Sequence, residues 1–204
     1  MSVFGKPLAE VTEADLQSLV VNEVRERQTL DFKRDVYPRH DEGRREMLRD
    51  VSAMANAYGG EILLGVGESG EGVATDIVGI GEGEREAQSI ISSCLSNLDE
   101  RIRGLASYLV PLSNGRHVVI VQVPSSLRAP HMVTHKGLNQ FWMRHDRQKS
   151  PMSTDEIRET CLRTDLPSRA YAGDPAAVGG SRGVARFQRS RRGGFADDPA
   201  PRPN

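Results

Sequence analysis

A chain of 204 residues is enough for one ordinary domain with some length left over. Its 27 basic and 28 acidic residues give a net charge of −1, which excludes both a histone-like polycation and an acidic tail protein. No apolar run approaches the roughly eighteen residues of a membrane span, and the first ten residues lack the apolar core of a secretory signal. Two cysteines, Cys94 and Cys161, exclude a disulfide scaffold and a four-cysteine zinc site, so the cytoplasm is the expected compartment.

Thr12 is placed to cap a helix whose apolar positions Leu16, Leu19, Val20 and Val24 keep the helical period. A strand fits 29–35. Met47, Leu48, Val51, Met54, Ala55 and Tyr58 mark a second helix, stopped by Gly59 and Gly60. The run 61–66 reads as a buried strand, with 77–80 as its hairpin partner. Ile90, Ile91, Cys94, Leu95 and Leu98 predict one face of a third helix. Strands fit 106–112 and 117–123 around an Asn114-Gly115 turn, and a short one fits 140–144. Ser153 with Glu156 makes a capping box for a last helix ending near Leu162. The expected class is α+β, with a single, mostly antiparallel sheet and flanking helices. Domain limits follow: an N-terminal extension at 1–22, the domain at 23–166, and a tail at 167–204. From Ser168 onward the tail carries seven arginines against three aspartates, a balance of +4 that leaves −5 for the preceding residues. With almost no large apolar side chain it is expected to be disordered and basic.

Several groups of residues invite chemistry. In a strand, Asp31 and Lys33 share a face about 7 Å apart. Joined by Glu26, they make a candidate cation site beside a lysine, although spacing alone favours a solvated face with ordinary ion pairs. Gly65-Val66-Gly67-Glu68-Ser69-Gly70 matches the dinucleotide fingerprint, but no helical period follows it, so a hairpin turn is the better reading. Glu68 then becomes a third acid at a strand end. His131 and His135, bracketed by Pro130 and Gly137, read as surface or loop histidines, and both cysteines as core. Phe141-Trp142-Met143-Arg144 precedes a run of bases, which reads as packing with a charged rim or as a stacking platform for nucleic acid.

Taken in order, Glu26, Leu30-Asp31-Phe32-Lys33, the stretch 51–60 ending in Gly59-Gly60, Ile62-Leu63-Leu64-Gly65-Val66, 77–80, 118–125 and 141–144 resemble the Schlafen AlbA_2 domain family. The resemblance runs from about residue 23 to 160. It implies nucleic-acid binding, RNA or DNA, on a sheet-and-helix core distantly like the Alba chromatin proteins. In animal Schlafens, duplicated copies form a U-shaped endoribonuclease that cuts structured RNA such as tRNA. Carried over, its three acids fall on Glu26, Asp31 and Glu68, which would hold Mg²⁺ or Mn²⁺. Asp31 replaces the commoner glutamate, and Glu68 stands where aspartate is usual. Lys33, Arg34 and Arg144 are the implied nucleic-acid contacts. A single copy would offer half of the groove, so a homodimer is expected. The competing expectations are a non-catalytic DNA- or RNA-binding regulator and a nucleotide-binding module on the Gly67 turn.

Overall fold

The computed structural model describes residues 2–171. As expected, Thr12 closes the start of α1 (Glu13–Val21) through a capping box, its amide donating to the Asp15 carboxylate at 2.7 Å. Strand β1 (Leu30–Lys33) comes next. The crossover α2 (Asp41–Asn56) then carries the chain back, so that β2 (Gly60–Leu64) pairs with β1 in parallel. The helix ends before Gly59 and Gly60, both at positive φ (70° and 151°), and the Gly59 amide donates to the Met54 carbonyl at 2.8 Å.

The buried run expected at 61–66 is broken at Gly65, where φ is 95°. Beyond it, β3 (Val66–Glu68) leaves the main sheet and folds back on β4 (Ala74–Ile77) as a hairpin. No helix opens on this glycine turn, which removes the expected nucleotide module; the next helix, α3, spans Gly83–Asn97. There follow β5 (Leu98–Asp99), β6 (Ala106–Pro111), β7 (His117–Val123), β8 (Met132–Val133), β9 (Gln140–His145) and β10 (Gln148–Pro151). The Ser153–Glu156 box opens α4, which runs over Thr154–Tyr171 instead of stopping near Leu162. The disordered tail expected at 167–204 is helical as far as Tyr171, and 172–204 lies outside the described residues.

The class is α+β, as read, but the strands divide among three sheets. The main one has the order β1-β2-β7-β6, a second has β10-β9-β8-β5, and β3-β4 stands as a pair. Strands of two to four residues, such as β5, β8 and β10, carry too little periodicity to be seen in a sequence.

The main sheet buries both faces. Leu30, Phe32, Leu63 and Ile120 face α1, whereas Ile62, Leu64, Val119 and Val121 face α2 and α3. Asp31 and Lys33 register with Ile62 and Leu64, so they stand on the helix-covered side. Three expectations fail for the same reason, that neighbouring elements close over the chain or leave it open. His131 and His135 are buried, with Nδ1 of each on Glu100 O (2.6 Å) and Asn97 Oδ1 (2.8 Å). Cys161 is exposed on α4 while Cys94 is core, its thiol pushed up to about 12 by burial. Leu95 points outward; Ile90, Cys94 and Leu98 are buried as expected, and α3 adds Glu86 and Ala87 to the buried face.

Candidate nucleic-acid interface

Alternation along β1 sends Asp31 toward α2 and toward the β9–β10 hairpin, where it is 3% exposed. Its Oδ1 meets Arg144 Nη2 at 2.8 Å, and its Oδ2 meets Lys33 Nζ at 2.5 Å. Burial works against this charge, but the two cations outweigh it and hold the carboxyl below its ordinary range. For Lys33, burial works the other way, and the charges of Asp50 and Asp31 prevail to raise it.

Arg144 is 2% exposed, and its guanidinium also donates to the Asp146 and Arg27 carbonyls. It is therefore the internal counter-charge of Asp31, and the sequence-based expectation of a nucleic-acid contact does not suit its position. A second pair lies alongside: Asp50 of α2 accepts from the Tyr37 hydroxyl at 2.9 Å and is ion-paired with Lys149, which also reaches Glu46 at 2.6 Å. Burial raises the Asp50 carboxyl, with Lys149 and Lys33 opposing, and burial followed by Asp50 raises the Tyr37 hydroxyl. Sequence reading missed this group. Its signal was Asp50 itself, a charge inside the apolar stripe formed by Met47, Val51 and Met54.

Glu26 stands before β1 and folds over it, Oε1 accepting from the Phe32 amide at 2.8 Å. Its Oε2 meets Arg147 Nε at 3.3 Å, and Arg147 Nη2 lies 4.0 Å from Glu68. The Glu68 carboxyl is pushed up to about 7, first by burial and then by Glu26, its hydrogen-bond partner. Trp142 packs on the core with the Arg49 guanidinium 4.9 Å above its ring, which favours packing over a stacking platform.

Three partly exposed cations gather at one edge. Arg34 grips Asp76 of β4 with Nη1 at 3.0 and 2.9 Å from its two oxygens, while Lys33 and Arg147 flank the same hairpin. A Cβ at Gly67 would strike the Arg34–Asp76 pair, and one at Gly72 would strike the Arg147 guanidinium. These glycines make room for arginines.

The family model for "Schlafen, AlbA_2" matches residues 26–153, most of the described fold. The chain belongs to the Schlafen AlbA_2 family. Two solved structures are similar to it. One is a Corynebacterium diphtheriae protein (DIP2311), at 17% identity and a TM-score of 0.45 over 72% of this chain and 27% of that one. The other is the N-terminal domain of a RecG-related protein from Nitrosomonas europaea, at 20% identity and a TM-score of 0.49 over 71% and 93%. No curated protein matches.

In this Schlafen AlbA_2 domain the three acids carried over from the family do not stand as equals. Glu26 and Glu68 are neighbours, whereas Asp31 is held between Arg144 and Lys33. Among the described residues no three His, Cys, Asp or Glu side chains are grouped as the ligands of a metal ion are. Asp31 could join Glu26 and Glu68 around an ion only by giving up Arg144 and Lys33.

The Glu68 carboxyl has a consequence for stability. Raised from 4.5 to about 7, it binds its proton more tightly in the folded state. The folded state then holds more protons than the unfolded one across that interval, so stability falls as pH rises through it. Glu68→Gln is expected to flatten the fall. Urea midpoints measured from about pH 5 to about pH 8 check this, and parallel curves for the two proteins would contradict it.

Proposed function

We propose that this domain binds nucleic acid through the edge formed by Lys33, Arg34 and Arg147 beside the β3–β4 hairpin. The observation that carries the reading is the family match over 26–153, with these cations on the part of it that stays accessible. Arg34 is paired to Asp76 in a half-open position, where ion pairs contribute little, so exchanging that carboxylate for a phosphate costs little; Arg147 stays anchored to the buried Glu26 by Nε and turns Nη2 toward the hairpin. A homodimer would set two such edges together and complete the groove that duplicated copies form in the family.

A finer reading is a metal-dependent endoribonuclease, with Glu26, Asp31 and Glu68 on Mg²⁺ or Mn²⁺. The neighbouring carboxyls of Glu26 and Glu68 favour it, since a divalent ion would relieve their mutual repulsion. It requires Asp31 to leave Arg144 and Lys33.

A single gel tests both levels. Purified protein is incubated with tRNA and with duplex DNA, in Mn²⁺ or in EDTA. Retarded bands in both buffers are the expected result, and their absence at low salt rejects nucleic-acid binding. Fragments of tRNA that form only in Mn²⁺ would support the nuclease, and intact tRNA in Mn²⁺ rejects it.

A further inference from the structure

A cavity of about 370 Å³ lies between α2 and α3, within the size range of small-ligand sites. Glu86, which lines it from α3, is only 5% exposed, and its carboxylate has no hydrogen-bond or ion-pair partner among the described residues. Burial disfavours the Glu86 charge while Arg39 and Arg85 oppose that effect without bonding to it, so a donor placed in the cavity would find this acceptor open. Three arginines surround the opening. Arg39 and Arg85 converge on one carboxylate, that of Glu82, at 2.9 and 3.1 Å, and the Arg44 side chain has no ion-pair partner among the described residues. Tyr37 and Met47, both core residues, also line the cavity.

We propose that this cavity binds a guanine mononucleotide, with its phosphate on Arg39, Arg44 and Arg85 and its base edge on Glu86. Guanidiniums match phosphate oxygens in paired contacts. Guanine alone presents two adjacent donors, N1–H and the N2 amino group, to the two oxygens of a carboxylate. Adenine and cytosine each set an acceptor beside their amino group, which a carboxylate repels. The site is separate from the Gly65–Gly70 turn and does not depend on nucleic-acid binding at the Lys33 edge.

Calorimetric titration of the full chain with GMP, AMP and inorganic phosphate tests this. GMP is expected to saturate with a Kd at least about tenfold below those of AMP and phosphate. Glu86→Gln replaces one acceptor by a donor without changing shape, and should bring GMP and AMP to similar affinity. Arg44→Ala, at an exposed position that the fold does not need, should weaken GMP about tenfold. The absence of saturable GMP binding, equal affinity for GMP and AMP, or GMP binding unchanged by Arg44→Ala would each overturn the proposal.

Discussion

Asp31→Asn should destabilise the fold by about 3–5 kcal/mol, as breaking a buried ion pair does. The substitution leaves Arg144, at 2% exposure, and the partly covered Lys33 facing a neutral amide. The loss should also depend on pH. A carboxyl held below its ordinary range stabilises the native state above that range, and the benefit disappears as pH falls through it. The gap between wild type and variant is therefore widest near neutrality and narrows in acid. Urea unfolding at neutral pH measures it. A loss under about 1 kcal/mol would place Asp31 among exposed pairs and contradict the burial described above. A consequence for enzymology follows: lost activity in this variant would not by itself identify a catalytic acid, because the fold is weakened too. Glu68→Gln, at a more open position, leaves no buried cation unpaired.

Replacing either helix-stop glycine by valine should cost more than about 2 kcal/mol, through a backbone conformation that L-residues avoid and through direct collision. At Gly59 a Cβ would run into the Val123–Ser125 backbone, and at Gly60 into the Thr29 backbone. Sequence reading required positive φ at one of the two; both have it, because the chain must turn out of α2 and enter β2 within four residues. Equal unfolding midpoints for Gly59→Val, Gly60→Val and wild type would mean that the helix stop is misplaced.

The elements that could be read in the sequence were those with a local cause. The Thr12 and Ser153 capping boxes, the β6–β7 hairpin and the glycine stop after α2 all declare themselves within a few residues. What stayed hidden depends on partners distant in the chain. The alternation Leu30-Asp31-Phe32-Lys33 reads as one buried and one wet face, and only the arrival of α2 and the β9–β10 hairpin buries the polar side. Arg144 looked like one of a run of accessible bases for the same reason. His145 beside it is exposed, while Arg144 crosses to Asp31. His131 is drawn inside by Asn56, whose Oδ1 accepts from the His131 amide at 2.6 Å, a contact spanning 75 positions. The glycine fingerprint was resolved by what did not follow it, since Val73 to Thr75 lacked a helical period and β4 begins there.

Phosphate binding at the Arg34–Arg147 edge would make affinity fall with salt in proportion to the cations engaged. Fluorescence anisotropy with labelled tRNA, repeated from about 50 to about 200 mM salt, gives a slope of log K against log[salt] that counts displaced counterions. Each phosphate contact contributes close to one unit, so Arg34→Ala combined with Arg147→Ala should lower the slope by roughly 2. The slope for duplex DNA should fall as well. Binding by the double variant with the wild-type slope would place the phosphate contacts elsewhere on the domain.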